Sequence, residues 1–184
     1  MLIHKIPLKN KVLRMLWRFC WFSFASWTPI FLHKWRILLI NLFGGKVDFS
    51  GFIYPDVRIW DPKNLIMGKK SCLGPGVECY NVAQIKIGNF ATISQRVFLC
   101  SASHDYNQSI IKNNEMDLLI GPIFIEDFSW IAAEAFIGPS VNIEYGSVIL
   151  ARSVVTKNTK KLGVYGGNPI NYIKDRTGII NPEK

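Results

Sequence analysis

The chain is expected to be mainly β, a triangular solenoid of short parallel strands preceded by two helices. Three observations lead there. Aliphatic residues recur every six positions from Ile125 to Val155; the same rhythm runs in shifted phase from Ile53 to Leu99; and residues 1–46 depart from it in composition and charge. At 184 residues and 49% apolar content, the chain has material for one full core and is far too apolar to be disordered.

The arm comes first. Between Met1 and Lys46 there are eight Lys or Arg and no Asp or Glu, whereas the other 138 residues carry 14 basic and 13 acidic side chains. The net charge of +9 therefore belongs almost wholly to residues 1–46. Trp17, Phe19, Trp21, Phe22, Phe24, Trp27, Phe31 and Trp35 lie among these cations. Thr28-Pro29 reads as an N-cap followed by proline at the first helical position, and Gly44-Gly45 as a stop, which predicts helices over about residues 8–27 and 29–42. The longest uncharged run, Phe19 to Leu32, has 14 residues and contains Pro29, too short to cross a bilayer. No small-residue cleavage site follows the basic-then-apolar order, so a signal peptide is not expected. Aromatic and aliphatic residues with flanking Lys and Arg suit the acidic cytoplasmic face of a membrane; the alternative is packing on the rest of the protein or on a sister subunit. Nucleic acid is not expected, because no binding motif accompanies the basic patch.

The solenoid occupies residues 47–176. From Ile125 the hexads read IEDFSW, IAAEAF, IGPSVN, IEYGSV and ILARSV, then VTKN. Their first positions are Ile125, Ile131, Ile137, Ile143, Ile149 and Val155, and their fifth positions are small or modest: Ser129, Ala135, Val141, Ser147 and Ser153. A helix would space apolar residues by three and four, and a simple strand by two. A period of six gives one short strand and one turn per hexad, three hexads per coil, and a column of aliphatics stacked from coil to coil. Upstream, Ile53, Ile59 and Leu65 form one run, Met67, Leu73 and Cys79 a second, and Ile87, Ile93 and Leu99 a third. The step from Leu99 to Ile125 is 26 residues, not a multiple of six. An excursion loop over residues 105–122 must leave the prism near His104 and return near Pro122, and long loops in compact repeats are commonly functional. A short C-terminal helix and a tail, 177–184, are expected to end the chain.

Cys20, Cys72, Cys79 and Cys100 show no CxxC and no histidine at ligand spacing, so neither a disulfide framework nor a zinc site is expected, and the thiols read as reduced, packed side chains. His4 and His33 lie in the basic arm and read as solvated or interfacial.

The hexads, the loop after SASHDY, the return through GPIFIEDFSWIAAEAFIGPSV and the close ARSVVTKN with VYGGNPINYIKDR resemble the hexapeptide-repeat acyltransferases. Within them the chain most resembles the colanic-acid-type exopolysaccharide O-acetyltransferases, related to the galactoside, maltose and nodulation-factor acetyltransferases. The resemblance covers residues 47–176 and extends to the arm. The hexads speak only for the fold; SHDY, WIAA and GGNP are the more specific set. The resemblance implies a left-handed parallel β-helix, a homotrimer, and an acetyl-coenzyme A site in each cleft between neighbouring prisms.

It also implies roles for particular residues. His104 aligns with the catalytic histidine of the family and is expected to be the general base, since a sugar hydroxyl is a poor nucleophile until a positioned group takes its proton. A histidine met alone would more often be structural. Asp105 either orients His104 or binds a sugar hydroxyl, or is an ordinary turn residue. Asn81 lies near the acyl and acceptor groups, or is an inward asparagine at a solenoid turn. Trp130 walls the cleft or covers the prism, and the backbone N–H of Ala132 or Ala133 is expected to meet the oxyanion. The pantetheine arm is expected beside Ala133 and Ala151, then Thr156 and Lys157. Asn171 and Lys174 stand where galactoside relatives have arginines, so Lys174 and Arg176 are the expected phosphate contacts, or ordinary surface charge. With only His104 on the prism, no metal is expected.

The expected function is acetyl-CoA-dependent O-acetylation of a sugar hydroxyl in a capsular, exopolysaccharide or lipopolysaccharide precursor. The acceptor is a sugar or lipid-linked saccharide, met by a cytoplasmic enzyme held peripherally at the inner face of the bacterial membrane. N-acetylation of an amino-sugar nucleotide or antibiotic, and a non-catalytic scaffold, are the alternatives.

Overall fold

A computed structural model describes residues 2–4, 8–104 and 118–178. Among these, strands of two or three residues build the three faces of a five-coil prism, a left-handed parallel β-helix. The first face stacks Lys46–Val47, Leu65–Met67, Ile85–Ile87, Ile123–Ile125 and Asn142–Ile143. The second runs from Phe52–Ile53 through Cys72–Leu73, Thr92–Ile93 and Trp130–Ile131 to Val148–Ile149. The third stacks Arg58–Ile59, Glu78–Tyr80, Phe98–Cys100, Phe136–Ile137 and Val154–Val155.

The column positions read from the hexads are the inward ones. Val47, Met67, Ile87, Ile125 and Ile143 line the first face, Ile53, Leu73, Ile93, Ile131 and Ile149 the second, and Ile59, Cys79, Leu99, Ile137 and Val155 the third. None of the fifteen is more than 6% exposed. Cys79 serves as a small apolar member: burial first, then the neighbouring Glu78 charge, pushes its thiol up to about 12, so it stays protonated.

The phase slips have one location. From third face to first, the inward positions step eight residues from Ile59 to Met67, eight from Cys79 to Ile87 and 26 from Leu99 to Ile125, but six from Ile137 to Ile143. Every insertion therefore falls at the same corner of the prism. In the first coil the extra length is the 3-10 turn Pro62–Asn64. In the third it is the excursion, which begins and ends as an antiparallel pair, Ala102–His104 with Leu118–Ile120. Leu2–His4 adds a third strand on the other side of Leu118–Ile120. The rest of the expected loop, residues 105–117, lies outside the described residues.

The arm forms α1 (Leu8–Phe24), a 3-10 turn (Ile30–Leu32) and α2 (His33–Leu42). It closes the end of the prism with one side chain per face. Asn41 exchanges two hydrogen bonds with the Val47 backbone, both 2.9 Å; Arg36 Nε donates to the Ile53 carbonyl at 2.8 Å; Trp17 Nε1 donates to the Ile59 carbonyl at 2.7 Å. Those carbonyls belong to the first strand of each face, which has no further coil to satisfy it. Arg36 is fully buried without an acidic partner among the described residues, and its remaining donors go to Thr28 Oγ1 at 2.7 Å and the carbonyls of Thr28 at 3.4 Å, Pro29 at 3.0 Å and Ile30 at 2.7 Å. Thr28 is thus no N-cap: α2 starts at His33, and the hydroxyl read as a cap accepts from Arg36 and donates to the Ala25 carbonyl at 2.5 Å. His33 is half-buried and stacks on Phe52, with centroids 4.4 Å apart.

At the far end, Gly163–Gly166 joins the second face and Asn171–Asp175 folds back against it antiparallel. The expected short C-terminal helix is not formed among the described residues. Gly167, at φ +101°, turns the chain so that 171–175 complete the sheet instead. Residues 179–184 lie outside the described residues.

Candidate functional site

His104 is the last residue of the strand Ala102–His104, in register with Leu118 and exposed. What fixes it is the residue three positions back. Ser101 is fully buried, and both its backbone N–H and its hydroxyl donate to the Tyr80 carbonyl, at 3.0 and 2.9 Å. The same hydroxyl accepts from the Ala83 N–H at 2.9 Å, and the Ser101 carbonyl accepts from the Gly121 N–H at 2.9 Å. Departing and returning strands are therefore pinned to the prism at one buried serine, and a short rigid hairpin carries the imidazole outward. Ser101 was missed in the sequence; a serine ending the run of column residues before SH was the available signal. The Cys100 thiol beside it donates to the Ala102 carbonyl at 3.1 Å, and burial above all raises its pKa, which disfavours the thiolate.

Asp105 lies outside the described residues. Asn81 is placed as the inward asparagine: it is fully buried, its Oδ1 accepts from the Asp61 N–H at 3.0 Å, and its Nδ2 donates to the Asp61 carbonyl at 2.7 Å. Both ends of the amide hold the widened corner together, the arrangement expected of an inward asparagine at a solenoid turn. Trp130 stands exposed on the second face between Thr92 and Val148, its Nε1 donating to Ser94 Oγ at 2.9 Å.

The Ala132 N–H donates to the Ile149 carbonyl at 2.8 Å. Because Ile131 pairs with Ile149, Ala133 and Ala151 occupy equivalent corner positions on successive coils, a stack of small side chains that leaves backbone approachable. Thr156 and Lys157 are exposed at the following corner, and Lys174 is exposed opposite Val164. Arg176 Nη1 donates to the carbonyls of Phe128 at 2.8 Å and Gly146 at 2.9 Å, tying residue 176 to a corner of the prism. A second corner is held by charge, with Glu134 accepting from Arg96 and from Arg152, whose Nε lies 2.6 Å away. Those two partners, Arg152 first, hold the Glu134 carboxyl below its ordinary value.

A cavity of about 700 Å³ lies between α1 and the early coils, with Trp17, Trp21, Arg58, Trp60, Glu78 and Tyr80 on its walls; His104 does not line it. Among the described residues no group of three or more His, Cys, Asp or Glu is gathered as metal ligands.

No protein-family profile matches the chain. WcaF of Escherichia coli K12, assigned as an acetyltransferase of colanic acid biosynthesis, is 34% identical over 167 residues, 91% of this chain and 89% of its own length. The chain belongs to the hexapeptide-repeat acetyltransferases. It is accordingly an acyltransferase, as its sequence led us to expect. Two solved acetyltransferases share the fold. A maltose O-acetyltransferase from Clostridium difficile superposes with a TM-score of 0.82 at 22% identity, covering 94% of this chain and 90% of its own. A hexapeptide-repeat acetyltransferase from Vibrio cholerae, complexed with acetyl coenzyme A, gives 0.81 at 23% identity, covering 94% and 91%.

Proposed function

We propose that this acetyltransferase moves the acetyl group of acetyl coenzyme A onto a hydroxyl of a sugar in a capsular, exopolysaccharide or lipopolysaccharide precursor. The observation that carries the reading is the presentation of His104 on a hairpin pinned at Ser101, in a chain related to WcaF and folded like a maltose O-acetyltransferase. In the proposed step an imidazole nitrogen of His104 takes the proton of the acceptor hydroxyl as the oxygen bonds to the thioester carbon. The tetrahedral intermediate then collapses with cleavage of the C–S bond, and the imidazolium returns the proton to the departing thiolate. Direct transfer is the proposed route, supported by the Cys100 thiol beside the hairpin, whose pKa burial raises and which is thereby disfavoured as an acyl acceptor.

The Ala133 N–H is the proposed oxyanion donor. Small side chains at Ala133 and Ala151 fit a pantetheine arm laid close to backbone, with Thr156 and Lys157 beyond it and Lys174 as the cation free to meet phosphate. Trp130 forms a wall of the acceptor cleft and Asp105 orients the imidazole. An exposed His104 within one chain fits a site completed by a sister prism, as in a homotrimer. Residues 1–46 bring the enzyme to the inner face of the bacterial membrane, where a lipid-linked saccharide would be met.

The test is a screen of free, nucleotide-linked and lipid-linked sugars with acetyl coenzyme A, reading thiol release and product mass. An alkali-labile acetyl ester on a sugar is the expected product. An alkali-stable amide on an amino sugar would replace the reading with N-acetylation, and no transfer to any acceptor class would overturn it.

A further inference from the structure

The arm carries two apolar stripes, and the cap uses one. Trp17 and Trp21 of α1 turn inward and are 2% and 9% exposed. On the opposite side Leu8, Val12, Met15, Phe19 and Phe22 follow the spacing i, i+4, i+7, i+11, i+14, which aligns them as a second stripe along the helix. They are 74%, 46%, 65%, 67% and 76% exposed. At 1.5 Å per residue this stripe is about 21 Å long. Helical geometry sets Lys11 and Arg18 along one border and Lys9 along the other, all three exposed. Past the end of α1, Trp27 and Phe31 add exposed aromatic surface. Residues 8–46 hold seven Lys or Arg and no acidic residue. No helix among the described residues is long and apolar enough to cross a membrane.

We infer that the outward face of α1 is a membrane-docking surface, lying in the plane of an anionic bilayer. Met15, Phe19 and Phe22 enter the headgroup region, with Lys9, Lys11 and Arg18 against the lipid phosphates. Charge decides the occupant. Two copies meeting arm to arm would set one basic helix against another, with no acidic residue in either arm to neutralise them, and the remainder of the chain carries no net negative charge to draw the arm to it. An acidic leaflet supplies both the apolar depth and the counter-charge. The inference deepens the proposed function, on which it rests for the choice of the inner leaflet. The cap, through Trp17, Arg36 and Asn41, would make the prism and the docking helix one body, so that α1 positions the solenoid against the bilayer.

The test uses full-length protein sedimented with phosphatidylglycerol-containing vesicles and, separately, with phosphatidylcholine vesicles, at low and high salt. Wild type is expected on the anionic vesicles and to be released by salt. The variant Met15→Ser/Phe19→Ser should lose about tenfold or more in partition, and Lys11→Glu and Arg18→Glu about fivefold each per unit of charge removed. Trp17→Phe, on the inward face, should partition as wild type does. Equal partition of the stripe variant and wild type overturns the inference, as does equal binding to both vesicle types. Absence of vesicle binding together with a smaller mass for the stripe variant by light scattering assigns the stripe to a subunit contact and likewise overturns it. Transfer to a soluble sugar, measured without vesicles, is read separately, so a failed docking surface and a failed acetyl transfer are distinguishable.

Discussion

The strands Phe98–Cys100 and Ala102–His104 are separated by one residue and follow opposite rules. In the first, Leu99 is fully buried, pairing is parallel on both sides, and the chain is in step with the coils above and below. In the second, pairing is antiparallel, Ser103 and His104 are exposed, and the strand answers to no coil. Ser101, wholly buried and bonded in four ways, is the joint between them. The difference separates two tasks. Inward positions of the prism fix its shape and offer no group to a substrate, whereas the interruption frees a side chain for chemistry while its root borrows the prism's rigidity. Substitutions in the first region should cost stability and spare transfer, and those in the second the reverse.

The sharpest break in that comparison would come from His104→Ala. Its kcat for acetyl transfer should fall about 10²- to 10⁴-fold, with the urea midpoint unchanged, as steady-state thiol release and equilibrium unfolding would record. Leu73→Ala empties an inward position far along the chain from the hairpin. It should lose about 2–5 kcal/mol of unfolding free energy in urea, while activity per folded molecule stays at the wild-type level. Ser101→Ala lies on the boundary and should show both effects. Leaving the half-buried Ala83 N–H without its acceptor should cost about 1 kcal/mol, and a loosened hairpin root should lower kcat more than it raises KM.

The smallest effect is expected at the charged corner. Arg152 and Arg96 hold the Glu134 carboxyl below its ordinary value, so its contribution to stability is present at neutral pH, above that ordinary value, and is lost as pH falls through the lowered folded one. Glu134→Gln should therefore lower the melting temperature slightly at pH 7, less at high salt, and not at all once wild type is itself protonated there. Melting curves across acid pH would check the crossover.

How far this division could be read from sequence differed by residue. The column from Ile125 to Val155 was legible because aliphatics at a period of six admit few other structures, and the break at His104 because the period visibly fails there. The extra length at one corner was seen only as slipped phase; that Asp61 and Asn81 bond across it depends on a pairing twenty residues apart. Arg36 looked like one more cation of a basic arm, yet it is buried against five carbonyl or hydroxyl oxygens that only the folded cap brings together. Thr28-Pro29 carried a local capping signal that this tertiary demand overrode. The outward stripe of α1 was blurred in sequence, because inward and outward faces of the same helix are both aromatic.

The claim that matters most is that the imidazole on the hairpin is the base for a sugar hydroxyl. A crystal structure of the assembled enzyme with coenzyme A and an accepted sugar tests it most directly. One nitrogen of His104 should lie within hydrogen-bond reach, about 3 Å, of the acceptor oxygen, with the thiol sulfur beside it. A ring turned away and out of reach of both atoms in every subunit would contradict it.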